Sequence, residues 1–394
     1  MTGCTIGCVR QDDGSLAPGT PEQFERLLAN DILKDQTQHC DIVHLKTLID
    51  SSAGNPHHWE AVGTIVAKFA PPPKAPGYAG FVVIHGTDTL AYMAAGLEWL
   101  LMNVSSNCNV VVTGSQIPLS CPGSDGWLNL HRAIELARHD TKTQVVTIVF
   151  GHQVIEAVQA VKMCATALPA FTSANGDALG YWEAGGLKLN NVAIELIRKK
   201  HDERRKNRKV NGKKKEENEG KPKCHNAIPD VALVCLYPAF HPSILLHLVQ
   251  NEGVRGIVLE AFGAGNGPLF DRDEEDTGSL RYALETVLGR GVLVVYVTQC
   301  FSGSTIPVYG VSLDKIKSTY VDAEGNEFVN TILRRRDCTS ECALAQMATF
   351  LAYKPSLNRG GARSALEHAQ KAMGHTYSSE MLKDGTFSPA VARY

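Results

Sequence analysis

A chain of 394 residues with 44% hydrophobic side chains is long enough to bury two cores, so two domains are expected. A net charge of −2 argues against nucleic acid as a general partner, and no apolar run reaches the ~18 residues that a membrane helix requires. Eleven cysteines, an odd number without a tight framework, and an amino terminus without a basic-then-apolar leader point to free thiols in a reducing, cytoplasmic setting.

In chain order, hydrophobic patterning predicts a helix over Glu22–Asn30, a strand over Asp41–Leu45 and a helix over His57–Phe69. A strand over Gly80–Ile84 then feeds a helix over Thr89–Leu101. A strand over Cys108–Thr113, a helix over Trp127–Arg138 and a strand over Gln144–Phe150 follow. This alternation implies a parallel sheet wound with helices on both faces. Arg198–Lys223 breaks the pattern. It carries 13 Lys+Arg and 5 Asp+Glu, a net of +8 that leaves the remainder of the chain near −10. With almost no apolar residues it reads as a solvated insertion, and a nuclear-targeting or RNA-binding patch is the less favoured reading. A second alternating block has strands near Val231–Tyr237, Gly256–Glu260 and Gly291–Val297. Its helices lie near Pro242–Asn251, Ser279–Gly289 and Ser340–Tyr353. The tail after Met373 has little to bury. Cys338 and Cys342 share a helix face, but no further pair is placed to complete a metal site.

The motif with most chemical content is Phe81-Val82-Val83-Ile84-His85-Gly86-Thr87-Asp88-Thr89. An apolar strand ends at a glycine, and a hydroxyl and a carboxylate follow at a helix start, where open α/β sheets bind ligands. The same residue types also cap helices for purely structural reasons. Thr2-Gly3-Cys4-Thr5-Ile6-Gly7, Thr113-Gly114-Ser115-Gln116-Ile117-Pro118-Leu119, Ser124-Asp125-Gly126-Trp127 and Phe262-Gly263-Ala264-Gly265-Asn266-Gly267 complete the set. In this order they resemble the bacterial-type L-asparaginases, nearest the cytoplasmic type I branch and its animal relatives, some of which are described as lysophospholipases. The likeness runs from Thr2 to about Gln370.

The resemblance implies an α/β fold. A flavodoxin-like, parallel-sheet N-terminal domain would cover 1–190, a basic insertion 191–225, a smaller α/β C-terminal domain 226–375 and a tail 376–394. It implies hydrolysis of L-asparagine to L-aspartate and ammonia through an acyl-enzyme, by a homodimer or homotetramer, with no metal or organic cofactor. Thr5 matches the attacking residue. Thr87, Asp88 and Lys162 match the second threonine and its aspartate and lysine, and Asp88 also matches the residue that holds the substrate α-amino group. Within Asp50-Ser51-Ser52, Ser51 matches the holder of the α-carboxylate, with Asp50 beside it. Asn266 matches a residue delivered by a neighbouring subunit. Without the resemblance, Thr5 would be read as a turn residue, Lys162 as a surface lysine, Asp50-Ser51 as a helix start and Ser124-Asp125 as a cap before Trp127. His85 would be read as a core residue.

The sequence departs from the family pattern at four places. The family sets an apolar strand immediately before the nucleophile loop, and Met1 stands where that strand would end; its absence would leave a gap in the sheet. Cys4 replaces a glycine. Ser15 stands where many members carry tyrosine. Glu156–Val161 replaces an arginine-containing segment ahead of Lys162. These departures raise a second reading, a pseudoenzyme that binds amino acid without turnover. The animal relatives raise a third, a lipid-ester hydrolase, which would need an apolar channel.

Overall fold

The computed structural model describes residues 5–29, 37, 39–45, 50–71, 76–102, 104, 108–143, 145–199, 230–269, 278–306, 312–322, 325–335 and 337–353. Cys4, nearly all of the basic insertion and the tail therefore lie outside the described residues. The chain divides into two compact units, whose described parts are residues 5–199 and 230–353.

The first unit opens with a 3₁₀ turn at Thr5–Gly7 and a small antiparallel hairpin of β1 (Cys8–Arg10) and β2 (Leu16–Pro18). Ser15 lies in the hairpin turn, bonded through its amide and hydroxyl to Asp13. Helix α1 (Pro21–Leu28) starts at a reciprocal cap: the Thr20 hydroxyl accepts from the Gln23 amide, and the Gln23 side chain accepts from the Thr20 amide. Proline at the first helical position sets the entry to α1 and again to α2 (Pro56–Phe69).

The six-stranded sheet contains β3 (Gly80–Ile84), β4 (Asn109–Thr113), β5 (Val146–Phe150), β6 (Gln153–Glu156), β9 (Gly180–Glu183) and β10 (Gly186–Leu189), in the order β10-β9-β6-β5-β4-β3. Helix α3 (Leu90–Leu101) crosses from β3 to β4, and α4 (Gly126–Arg138) from β4 to β5. These three strands are parallel, with Ile84 opposite Thr113 and Val112 opposite Ile148. Beyond β5 the expected parallel winding ends, and β6, β9 and β10 pair antiparallel. Only Gly151-His152 separates β5 from β6, and a parallel return needs a crossover of about a dozen residues. Gly151, at φ +58°, makes the tight turn. A separate pair, β7 (Ala160–Lys162) with β8 (Phe171–Ser173), projects Lys162. Glu156 and the turn Ala157–Gln159 ahead of Lys162 are buried.

The strand expected over Asp41–Leu45 is not formed; residues 41–45 belong to no strand. An apolar cavity of about 440 Å³ lies between this segment and β3. A strand persists only where a neighbour completes its ladder, and here the cavity intervenes.

In the second unit β11 (Val231–Cys235), β12 (Gly256–Ala261), β13 (Leu293–Thr298) and β16 (Leu333–Arg334) form an all-parallel sheet, and β14 (Lys317–Val321) and β15 (Glu327–Thr331) form a hairpin. Helices α5 (Ser243–Gln250), α6 (Leu280–Gly289) and α7 (Ser340–Tyr353) complete it around a core containing Ile257, Leu259, Leu284 and Tyr296. No helix among the described residues is long and apolar enough to cross a membrane.

Gly114, directly after β4, is packed against the backbone where β3 ends. A Cβ there would sit 2.3 Å from the His85 carbonyl oxygen. Gly114→Ala is therefore expected to destabilise the fold by about 2–4 kcal/mol, read as a lower urea midpoint at unchanged slope.

Candidate active site

The chain leaves β3 at Ile84 and makes a 3₁₀ turn, Thr87–Thr89, before α3 begins. This turn presents Thr87 and Asp88 beyond the carboxyl end of the sheet. Lys162 reaches them from the end of β7. Its Nζ donates to Thr87 Oγ1 at 2.8 Å and to Asp88 Oδ1 at 2.8 Å. Thr87 is buried at 5% exposure, whereas the Asp88 side chain is 64% exposed and the Lys162 side chain 20%. The ion pair is thus half in water and adds little to folding. Its value lies in holding an ammonium against a buried hydroxyl.

Thr87 also donates to Gln116 Oε1 at 3.1 Å. The Gln116 amide nitrogen donates to the Ala165 carbonyl at 2.9 Å and the Ala167 carbonyl at 3.2 Å. The 163–170 loop closes on itself, with the Met163 and Cys164 amides on the Ala170 carbonyl. The Cys164 thiol accepts from the Ala167 amide. The Thr166 and Ala167 amides hold that thiol below its usual range, helped by Lys162. Gln116 belongs to the quoted motif but carried no assigned role, because only folding brings residues 87, 116 and 165 together.

Asp125 is a second residue whose part the sequence reading missed. It stands at the start of α4 but makes no side-chain cap hydrogen bond there. Its carboxylate instead accepts from the Gln116 amide at 3.1 and 3.0 Å, the Ile117 amide at 2.9 Å and Asn129 Nδ2 at 3.1 Å. The capping role falls to Ser124, whose hydroxyl accepts from the Gly126 amide and donates to the Ile117 carbonyl. Asp125→Ala leaves two inward amides without an acceptor and should cost about 2–4 kcal/mol of stability. Asp125→Asn, which keeps one acceptor, should cost less; chemical denaturation of both variants tests this.

Ser51 is joined to the same turn through Thr89. Asp50 starts the Ser51–Ala53 turn by accepting from the Ser52 amide and hydroxyl, and those bonds hold its carboxyl below the usual range. The helix-start reading of Asp50 therefore describes its contacts, while Ser51 is the buried residue that the turn places. Thr89 Oγ1 donates to the Ser51 carbonyl at 2.7 Å, and His85 Nε2 lies 3.0 Å from the same hydroxyl. A hydroxyl has one proton, already given to Ser51, so His85 must donate from Nε2. Burial, and secondarily His58, push the His85 pKa down to about 4. His85 is therefore a neutral core residue, as the bland reading had it, that steadies the Ser51 turn. Its depressed pKa means that the unfolded chain binds the extra proton first as pH falls. Stability should decline from about pH 6.5 to pH 4, and His85→Gln should flatten that decline in a pH series of unfolding midpoints.

Thr5 opens the first 3₁₀ turn and makes no hydrogen bond to Thr87 or Lys162. Its turn is nevertheless tied to this end of the sheet. The Ile6 carbonyl accepts from the Leu119 amide at 3.0 Å, and Cys8 carbonyl accepts from Ser120 Oγ at 2.9 Å. Ile6 is fully buried in a cluster with Ile84, Leu119 and Leu130. Asn266 belongs to the second unit. It sits at the end of β12 in a turn closed by reciprocal backbone bonds with Phe262, where Gly265 adopts φ +107° and a Cβ would strike Tyr296 at 2.5 Å.

A strand-end hydroxyl thus touches an ammonium at the carboxyl end of β3. The family model described as "Asparaginase, N-terminal" matches residues 1–195, and "Glutaminase/Asparaginase C-terminal domain" matches residues 230–358. The chain belongs to the asparaginase family. Among its asparaginase-family relatives is L-asparaginase 1 of Escherichia coli (strain K12), 28% identical over 77% of this chain and 79% of that protein. The 60 kDa lysophospholipase of Homo sapiens is 29% identical over 89% of this chain, which spans only 56% of its length. Two solved structures share the fold over 97% of both chains. These are the thermostable L-asparaginase of Thermococcus kodakarensis, at TM-score 0.66 and 22% identity, and L-asparaginase I of Vibrio cholerae O1 biovar eltor str. N16961, at 0.65 and 25%. The family assignment makes the chain an amide hydrolase.

Proposed function

We propose that this amide hydrolase converts L-asparagine to L-aspartate and ammonia with Thr5 as nucleophile. The observation that carries the reading is the Lys162 ammonium 2.8 Å from both Thr87 Oγ1 and Asp88 Oδ1 at the carboxyl end of β3. Thr5 Oγ1 attacks the side-chain amide carbon and gives up its proton. The carbon–nitrogen bond breaks, the leaving nitrogen takes that proton and departs as ammonia, and an aspartyl ester of Thr5 remains. Water then attacks the ester carbon as its bond to Thr5 Oγ1 breaks; one water proton passes by way of Thr87, whose oxygen the Lys162 ammonium polarises, to Thr5 Oγ1, and L-aspartate leaves with Thr5 restored. A hydroxyl within 2.8 Å of a lysine is within range for direct proton transfer. An exposed Asp88 carboxylate suits the α-ammonium of the substrate, and the Ser51 turn suits its α-carboxylate. Asp50 contributes by shaping that turn.

Asn266 enters the reading as a residue supplied by a neighbouring copy, which makes a homodimer or homotetramer the active form. Sedimentation should then give a species of at least twice the chain mass, and dilution below its dissociation constant should lower specific activity. We place the domain boundaries near residues 190 and 226, with a cytoplasmic location.

The deciding experiment compares ammonia release from L-asparagine with fatty-acid release from lysophosphatidylcholine. Ammonia release that Thr87→Ala reduces by at least about 10²-fold supports the reading. Fatty-acid release without ammonia would replace it by ester hydrolysis, and L-aspartate binding without release of either would replace it by a non-catalytic amino-acid binder.

A further inference from the structure

The contacts of Gln116 leave its side chain a single orientation. A carboxamide has one oxygen, which only accepts, and a nitrogen with two hydrogens to give. The Ala165 and Ala167 carbonyls lie 2.9 and 3.2 Å from Nε2 and can only accept. The nitrogen must therefore face them, and Oε1 must face Thr87. The backbone end is fixed as well, because the Gln116 amide donates to both carboxylate oxygens of Asp125.

That orientation decides where the one hydrogen of the Thr87 hydroxyl goes. An ammonium can only donate, so Thr87 Oγ1 accepts from Lys162 Nζ at 2.8 Å. Gln116 Oε1 can only accept, so the hydroxyl gives its hydrogen there, at 3.1 Å. The bonds run in one direction, from Lys162 to Thr87, from Thr87 to Gln116, and from Gln116 to the 163–170 loop. A hydroxyl oxygen has two lone pairs, and Lys162 takes one. The second is left to receive a proton, which is the first thing a relay through Thr87 requires. Without Gln116 the hydroxyl would be free to turn its hydrogen toward the reacting atoms, where it opposes that step.

The two ends of the carboxamide differ in what can replace them. Ala165 is exposed and Ala167 half-buried, so water can serve their carbonyls once the nitrogen is gone. Thr87 is buried, where a lost acceptor is costly. We propose that Gln116 is a positioning residue for amide hydrolysis: its oxygen holds the Thr87 hydrogen aside, so that Thr87 meets the reacting atoms as a proton acceptor. The direction of the bonds stands on geometry; its effect on rate rests on the reading of Thr87 as a relay in asparagine hydrolysis.

The test compares the full chain with two variants. Gln116→Met keeps the length and removes both ends of the carboxamide, whereas Gln116→Glu keeps an acceptor for Thr87 and has no nitrogen for the loop. Gln116→Met should lower kcat for ammonia release from L-asparagine by about 10–100-fold, with KM changed by less than about threefold. Gln116→Glu should restore kcat to at least about fivefold above the methionine variant. A side chain that only anchors the loop predicts otherwise, since glutamate sets a carboxylate against two carbonyls; a glutamate variant no better than methionine overturns the proposal. In a Thr87→Val background, Gln116→Met should cost less than about twofold, because its effect passes through the missing hydroxyl, and a full cost there also overturns it. Neutron diffraction from the deuterated parent supplies a readout without turnover. The Thr87 deuteron should lie toward Gln116 Oε1, and a deuteron directed elsewhere overturns the assignment. A parent chain that shows this deuteron but releases no ammonia loses the asparaginase reading and keeps Gln116 as the holder of the Thr87 hydrogen; ammonia release with equal losses in both variants does the reverse.

Discussion

Lys162→Met should lower kcat for ammonia release from L-asparagine by on the order of 10³-fold while leaving the unfolding midpoint nearly unchanged. The two effects separate because of how the lysine is placed. Its partner Asp88 is mostly exposed, so the pair is screened and contributes little to folding. Its other partner, Thr87 Oγ1, is buried and 2.8 Å away, where a proton acceptor or an ammonium alters the reactivity of the hydroxyl directly. Lys162→Arg should not rescue the activity, since a planar guanidinium fork cannot reproduce the point contacts that the compact ammonium makes with Thr87 Oγ1 and Asp88 Oδ1. A Lys162→Met enzyme with full kcat would remove Lys162 from the mechanism.

Thr5→Ala should abolish ammonia release to at least about 10³-fold below the parent, because no other hydroxyl is assigned to attack the amide carbon. Thr5→Ser keeps the hydroxyl and should retain measurable turnover. The acyl-enzyme itself is accessible to mass spectrometry: quenching during turnover should show an aspartyl adduct on the peptide that carries Thr5, lost in Thr5→Ala. An adduct on the peptide that carries Thr87 instead would exchange the roles of the two threonines. The turn at Thr5–Gly7 is anchored by backbone bonds of Ile6 and Gly7, so loss of the Thr5 side chain should leave the fold intact.

Much of the architecture was legible in the sequence because hydrophobic period reports secondary structure locally. Gly80–Ile84 forms as expected to the residue, and α2, α3 and α4 begin within one residue of their expected starts. The misses share a cause. Asp41–Leu45 has a strand's composition, but a strand needs a neighbour, and only tertiary structure shows that a cavity lies where the neighbour would be. No strand was expected between Phe150 and Val231, so the antiparallel return through β6, β9 and β10 went unread. The two-residue link Gly151-His152 does carry a sign of it, and it dictates the antiparallel return.

The candidate site divides in the same way. Thr87 and Asp88 are adjacent in the chain, and the strand-glycine-hydroxyl pattern marks them without any structure. Lys162, Ser51 and Thr5 were reached only through the resemblance, since nothing local distinguishes them from a surface lysine, a helix start and a turn residue. Asp125 shows the limit most plainly: its neighbours in sequence predict a cap, but its carboxylate accepts from amides eight and nine residues earlier. By itself the sequence determined the element types, the family and the residue pair at the end of β3, because periodicity, turn residues and contiguous motifs are local properties. Tertiary structure alone decided that Lys162 meets Thr87, that Gln116 and Asp125 lock the turn beside them, and that β3 borders an apolar cavity. Those contacts join residues far apart in the chain, and they exist only once loop closure and burial have brought them together.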